Sequence, residues 1–153
     1  MLLLCVVILQ LCTVSVVVGM DAELEEWSVR DVVECEDRIV SQSRDLLSAD
    51  SQAQVQSEVD ELNERLRPLG LETSLVVIRR ANSLALYFIC LTLSALMSLR
   101  DQWRSRQLRD IVKSLFTFFS GAATLGVKRL IWPLSDYERC LEFFSPVQGE
   151  QTV

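Results

Sequence analysis

The chain has five cysteines and no histidine, and these two counts limit the chemistry open to it. No two of the cysteines (Cys5, Cys12, Cys35, Cys90 and Cys140) form a CxxC pair, so a disulfide framework is not indicated. Without histidine, zinc sites built on imidazole and histidine-based acid or base catalysis are excluded. The sequence therefore predicts a protein that is not an enzyme and that holds no metal or cofactor.

Hydroxyl side chains recur in two apolar parts of the chain. One set is Thr92, Ser94 and Ser98, and the other is Thr117, Ser120 and Thr124. If both stretches are helices, the two sets could line a polar groove for a passing substrate. Alternatively, each hydroxyl bonds only to a carbonyl of its own helix.

Small residues are concentrated in the second of these stretches. Gly121 precedes Ala122 and Gly126, which are four residues apart and therefore lie on one face of a helix. This small-xxx-small spacing lets helix backbones approach closely within a membrane. We expect these three residues to pack against another helix.

Three apolar stretches would position these residues. Residues 1–19 and 81–99 carry no charge, and each has about the 20 residues that cross a bilayer core as a helix. Residues 111–134 form a weaker third stretch, because only Ser114 to Val127 is uncharged. A cleaved secretory signal is the alternative for the first stretch, and a buried core helix is the alternative for the second. The predicted fold is an all-α membrane protein with three transmembrane helices.

Between the first two stretches, residues 20–69 are predicted to form an acidic helical hairpin. Two apolar seams with helical spacing run from Val32 to Ala53 and from Val55 to Leu69, and they are out of phase. Turn-forming residues from Ser48 to Ser51 indicate a reversal, and the second helix should end near Arg67, just before a proline. An antiparallel coiled-coil hairpin would bury both seams. One continuous helix with a stutter is the alternative.

Charge is unevenly distributed along the chain. Asp21 to Leu69 contains 14 acidic residues and 5 arginines, and the whole chain has a net charge of −6. The acidic stretch should repel nucleic acid. Residues 100–113 instead carry five cations against two acids, and Trp103 suits the headgroup level of a bilayer. We interpret this segment as an interfacial connector or a solvated basic helix. The tail, residues 135–153, would lie on the membrane or cap the bundle.

Two stretches and the order of the parts resemble a known family. Asp50 to Leu66 is similar to the opening of that family's second hairpin helix, and Phe118 to Leu134 is similar to its third span. The family is the endoplasmic-reticulum receptor family for guided entry of tail-anchored proteins, also called the tryptophan-rich basic protein family. The resemblance implies a multi-pass protein of the endoplasmic-reticulum membrane that acts as a receptor and insertase subunit for tail-anchored proteins.

The resemblance also implies partners and binding residues. A soluble targeting ATPase would dock on the hairpin, and a second membrane subunit would complete the insertase in the lipid bilayer. The hairpin residues implied in docking are Arg44, Val55, Ser57, Arg65 and Arg67. This hairpin is acidic where the family's is basic, and it has valine and serine near the family's docking positions. A structural, membrane-anchored coiled-coil module with a lumenal hairpin is the alternative function.

Overall fold

The chain contains both strands and helices, which mostly follow one another in pairs of the same type. The computed structural model describes residues 13–22, 29–47, 56–80, 84–121 and 125–144. Within these ranges there are four strands, five α-helices and one short 3-10 helix. Their order is β1 (Thr13–Ala22), α1 (Val29–Leu47), α2 (Gln56–Leu66), the 3-10 helix (Arg67–Leu69), β2 (Thr73–Arg80), β3 (Leu84–Cys90), α3 (Leu93–Arg104), α4 (Gln107–Ser120), β4 (Leu125–Ile131) and α5 (Leu134–Phe143).

The four strands form one antiparallel sheet in the order β2-β3-β1-β4. In β1, Val14, Val16 and Val18 are fully buried, whereas the residues between them are only partly covered. This period of two is that of a strand with one face on the core, and β-branched valine packs well on such a surface. Because the residues on the other face are partly covered as well, the inner strands β1 and β3 appear as apolar runs in the sequence.

The helix α4 lies at the centre of the helical layer and contacts α1, α2, α3 and β4. Its buried apolar side chains recur at helical spacing and are Leu108, Ile111, Val112, Leu115, Phe116 and Phe119. Thr92 is the N-cap of α3, and its hydroxyl accepts a hydrogen bond from the backbone nitrogen of Ala95 (3.1 Å). Gly121 ends α4 in the left-handed conformation, with φ 71°.

The predictions of an all-α fold, of three transmembrane helices and of a multi-pass membrane location are wrong, since the described residues include a four-stranded sheet. In the part of the chain that the structure describes, no helix is both long enough and apolar enough to cross a bilayer. Residues 81–99 contain β3 and the first half of α3, and residues 111–134 contain most of α4 and all of β4. The described part of residues 1–19 belongs to β1, and residues 1–12 lie outside the described ranges. A buried strand next to a buried helix also gives a long uncharged run, which explains the error.

The predicted coiled-coil hairpin is also wrong, although its two helices exist as α1 and α2. The helix α1 packs against β2 and α4, and α2 packs against α4, whereas the two helices make little contact with each other. Cys35 and Ile39 of the first seam and Leu62 and Leu69 of the second are buried in the core. The apolar spacing thus identified the correct faces but the wrong packing partner. The predicted turn residues 48–51 lie outside the described ranges.

The predicted tail begins with α5, which covers the part of β1 that β4 does not reach. The strand β4 pairs with β1 only from Val17 onward. Before that point, Oδ2 of Asp136 accepts hydrogen bonds from the Ser15 backbone nitrogen (3.1 Å) and hydroxyl (2.6 Å). Arg139 donates to the carbonyl of Thr13 (2.7 Å). These bonds satisfy a strand edge that would otherwise be open to another chain.

On the opposite edge of the sheet, Arg80 joins β2 to α1. Its guanidinium donates to Glu36 (2.7 Å) and Asp37 (2.5 Å), and also to the carbonyl of Val33 (3.1 Å). The pKa of Arg80 is raised above its ordinary value. The hydrogen bond to Asp37 contributes most to this shift, and the hydrogen bond to Glu36 contributes next. The guanidinium therefore stays charged at any pH at which the protein would be folded.

Candidate anion-binding site

Five cations line a cleft between the α3–α4 corner and the edge strand β4. The cleft has a volume of about 470 Å³, and Trp103 and Leu130 complete its lining. Among the residues that the structure describes, no acidic side chain lines it. We call it the cationic cleft, and its cations are Arg104, Arg106, Arg109, Lys128 and Arg129.

The α3–α4 corner brings three of these cations together. The helix α3 ends at Arg104, and the Ser105 N–H closes its last turn on the carbonyl of Asp101 (2.9 Å). Arg106 then turns the chain with φ 70°, which makes it the one non-glycine residue with positive φ among those described. Arg109 follows in the first turn of α4. Glycine usually occupies such a left-handed position because it has no Cβ. This corner has a long cationic side chain there instead.

The strand β4 supplies the other two cations at a shift in its register with β1. Gly19 pairs with Arg129 and Met20 pairs with Val127, so Lys128 is an extra residue on the β4 side. Such a β-bulge bends the strand and re-aims its side chains. Both Lys128 and Arg129 are exposed, although consecutive residues of a regular strand point to opposite faces.

Aromatic side chains fix the position of the cleft walls. Nε1 of Trp103 donates to the carbonyl of Leu130 (3.1 Å), which ties the end of α3 to β4. Trp132 packs edge-on against Trp103 and against Tyr137, with ring centroids 6.1 Å and 5.7 Å apart. Arg100 lies over the Tyr137 ring at 4.6 Å and donates to its hydroxyl (3.2 Å). These contacts connect α3, β4 and α5 beneath the cleft.

The cleft cations have no partners in the described part of the chain. None of the five makes an ion pair, a side-chain hydrogen bond or a ring contact there. The chain has 21 acidic residues against 15 basic ones. The cleft is therefore positively charged, whereas the chain as a whole is negatively charged. Like charges held close together repel one another and attract an anion. Carboxylate and phosphate oxygens are the acceptors that arginine and lysine bind most strongly.

The predicted partner-binding residues of the acidic stretch that the structure describes lie on α1, α2 and the 3-10 helix, and none of them lines the cleft. Arg44 is exposed near the end of α1, and Ser57 is exposed near the start of α2. Arg67 is exposed in the 3-10 helix and pairs with Glu64 (3.1 Å). Val55 lies outside the described ranges.

Arg65, the remaining residue of that set, is bound within the fold. It donates to both the carbonyl (2.8 Å) and the hydroxyl (2.9 Å) of Ser114 on α4. Its guanidinium also pairs with Glu61 (3.0 Å) and lies 5.3 Å from the centre of the Phe118 ring. These bonds hold α2 on α4, so the side chain of Arg65 already has partners.

The hydroxyls predicted to line a groove from the second stretch lie on α3. Thr92 is the residue that caps this helix, as described above. Ser94 and Ser98 are exposed on it. The three residues therefore lie on a surface helix at the end of β3, not on a transmembrane span.

The residues predicted to pack or line a groove from the third stretch lie on two different elements. The hydroxyl of Ser120 is buried and donates to the carbonyl of Phe116 within α4 (2.6 Å). Gly121 ends that helix, whereas Gly126 is buried in β4. Ala122 lies outside the described ranges. Because Gly121 ends α4 and Gly126 belongs to a strand, no single helix face carries the small residues.

Other reactive groups offer less chemistry than the cleft. Cys35, Cys90 and Cys140 are free and buried. Within the described ranges, no three residues of types that bind metals come together. No protein-family model matches the sequence, and no curated protein or solved structure matches it either. The functional argument therefore depends on the cationic cleft.

Only part of this site is visible in the sequence. Arg104, Arg106 and Arg109 belong to the basic segment 100–113, whereas Lys128 and Arg129 are the two charges that follow the uncharged stretch Ser114 to Val127. The signal in the sequence that points to the site is the presence of cations at both ends of one apolar stretch. A helix followed by a returning strand brings the two ends of such a stretch together.

Proposed function

We propose that the protein is a non-enzymatic binding module that docks an acidic segment of a partner protein in the cationic cleft. The observation that carries this proposal is a set of five cations that line one cleft and that have, among the described residues, neither a partner nor an acidic neighbour in the lining. Folding alone gives no reason to collect them, because their mutual repulsion destabilises the folded state. A bound carboxylate would remove that repulsion and form charge-assisted hydrogen bonds.

A protein segment fits the cleft better than a nucleic acid does. Nucleic acids present phosphates at regular intervals, and proteins bind them along extended basic surfaces. This cleft is short, and two of its lining residues are the indole of Trp103 and the apolar side chain of Leu130. A peptide offers acidic and apolar side chains in turn, which matches that lining. The acidic remainder of the chain would also repel a long polyanion.

The receptor and insertase function that the resemblance implies stays a prediction. It assigned docking to the acidic stretch, through residues such as Arg44 and Arg67. The present proposal assigns docking to the cleft and requires no membrane span. The two assignments use different surfaces, so one experiment can separate them.

The test measures binding of a fluorescently labelled acidic peptide to the full chain by anisotropy, with the Gln/Asn analogue as the neutral reference. We expect Arg104→Glu combined with Arg129→Glu to weaken binding by roughly tenfold or more, because each reversal replaces attraction by repulsion. Added salt should weaken binding of the parent protein, as it does for exposed charges.

The matched control is Arg44→Glu combined with Arg67→Glu, which changes the net charge by the same amount. Both control residues are exposed and lie outside the cleft. Binding should remain within about twofold of the parent, since long-range charge effects are screened. An equal loss in both double variants would show that binding follows net charge, and the cleft would not be the site. A loss in the control alone would favour docking on α1 and α2.

A further inference from the structure

We infer that the segment docked in the cationic cleft carries a phosphorylated side chain, an inference that rests on the proposed function. Four guanidinium groups and one ammonium group line a cleft of about 470 Å³. A carboxylate brings one negative charge, whereas a phosphate monoester brings about two near neutral pH, with three strong acceptor oxygens. The density of positive charge in this cleft therefore fits a phosphate better than it fits a single carboxylate.

The arginines come from elements that enclose the cleft. Arg104 ends α3, Arg106 forms the corner, Arg109 lies in α4, and Arg129 approaches from β4. Planar guanidinium groups bind phosphate oxygens through paired N–H bonds, and arginine clusters are a recurring means of recognising phosphorylated segments. Lys128 adds a point charge at the bulge. Cations on both walls can contact different oxygens of one phosphate group.

The backbone at Arg106 supports the same interpretation. A residue with a Cβ is strained at φ 70°, and glycine would relieve that strain. The corner nevertheless presents an arginine to the cleft. Strained conformations of this kind are concentrated at binding sites. The strain is consistent with a side chain retained for its ligand rather than for the fold.

The cleft fits a phosphorylated protein segment better than a lipid headgroup. Trp103 and Leu130 give it an apolar side that can contact the residue next to the phosphate. A bilayer presents phosphates in a plane, and the acidic remainder of this chain would face that negative plane. A single extended peptide avoids this repulsion.

The experiment compares three short peptides that differ at one central position, which is serine, glutamate or phosphoserine, by isothermal titration calorimetry with the full chain. We expect the phosphoserine peptide to bind at least about tenfold more tightly than the glutamate peptide, because it has the larger charge and more acceptors. The serine peptide should bind most weakly. Inorganic phosphate should compete with the phosphopeptide only at much higher concentration, since it lacks the peptide contacts.

The pH dependence gives a second readout that a structural role would not produce. The protein has no histidine, and the described residues that line the cleft are arginine, lysine, tryptophan and leucine. A phosphate monoester, in contrast, loses negative charge between about pH 7 and pH 5, because its second pKa is about 6. Lowering the pH across this interval should weaken phosphopeptide binding several-fold and should change glutamate-peptide binding much less.

The variant Arg106→Gly removes one cleft cation and keeps the left-handed corner, so its fold is not at risk. We expect it to reduce the preference for phosphoserine over glutamate, and we expect Arg106→Lys to retain most of that preference.

If glutamate and phosphoserine peptides bind the parent equally, the phosphate inference is wrong and the proposed function stands. If neither acidic peptide binds, both are wrong. Tighter binding to vesicles containing phosphatidylserine or phosphoinositides than to the phosphopeptide would overturn the choice of a protein ligand.

Discussion

Arginine has contrasting environments on two sides of this molecule. Beside α1 and α2, Arg80 pairs with Glu36 and Asp37, and Arg38 and Arg65 donate to carbonyls on α4. In the cationic cleft, the arginines make no such bonds within the described residues. The first set joins secondary-structure elements of the fold. The second set lies at the surface of elements that aromatic contacts already join.

The difference shows that arginine can stabilise the fold in one region and remain available to bind a ligand in another. A guanidinium that faces a buried carboxylate uses its donors in the folded state, and its removal destabilises the fold. A guanidinium without a partner keeps its donors for a ligand and adds little to stability. Substitutions in the two regions should therefore affect different measurements.

The largest effect should come from Arg80→Ala. The side chain of Glu36 is only 7% exposed, and the variant removes the guanidinium that neutralises it at 2.7 Å. Breaking a buried pair costs about 3–5 kcal/mol, and partial exposure of Arg80 reduces this to about 2–3 kcal/mol. Urea unfolding followed by circular dichroism would measure the loss as a lower midpoint with an unchanged slope.

The control for this prediction is Arg30→Ala. Arg30 pairs with Glu34 at 3.3 Å, and both side chains are well exposed. An exposed pair four residues apart on a helix contributes about 0.3–0.5 kcal/mol. If the Arg80 and Arg30 variants lost similar stability, the pairing of Arg80 would not differ in kind from a surface ion pair, and the comparison would fail.

The sequence was informative about local faces and boundaries. Helical spacing identified Cys35, Ile39 and Leu62 as buried positions, and all three are buried. The proline at position 68 predicted the end of the second helix near Arg67, and α2 ends one residue earlier. These features depend on neighbours within a few turns of the chain, which is why periodicity and backbone restriction reveal them.

The sequence failed where distant parts of the chain meet. The strand β1 pairs with β3 and β4, which follow it by dozens of residues, and no local pattern shows that pairing. Val14, Val16 and Val18 were read as part of a lipid-facing helix, because a buried strand and a membrane helix are both apolar. The cleft was missed for the same reason, since Lys128 and Arg129 reach the α3–α4 corner only through the return of β4.

A smaller effect, of opposite sign, should come from Arg106→Gly. Glycine adopts φ 70° without strain, so the variant should be more stable than the parent by about 0.5–1 kcal/mol. Arg106→Ala removes the same charge but keeps a Cβ, so it should show no such gain. Thermal and urea unfolding of the three proteins would measure the difference. Equal stability of the glycine and alanine variants would mean that the corner carries no backbone strain.

The smallest effect should come from neutralising two cleft cations with Arg104→Gln and Arg129→Gln. Neither side chain has a partner among the described residues, so no stabilising bond is lost. Relief of repulsion among the five cations should raise the free energy of unfolding by a few tenths of a kcal/mol at low salt. This gain should shrink as salt rises from about 50 to about 500 mM, because the ions screen the same repulsion in the parent.

The sign of this small change in stability shows whether it comes from repulsion among the cleft cations or from the net charge of the chain. The chain already has a net charge of −6, and the double variant makes it more negative. If only net charge mattered, the variant would lose stability at low salt and recover it at high salt. The control is Arg44→Gln combined with Arg67→Gln, which changes the net charge equally at exposed positions outside the cleft. It also removes the exposed Arg67–Glu64 pair, so a loss of about 0.3–0.5 kcal/mol is expected from that pair alone. A loss of stability in both variants at low salt would show that the cleft cations are not held against local repulsion. A gain in the cleft variant alone would show that the fold keeps them together at the expense of stability, as a binding site for an anion requires.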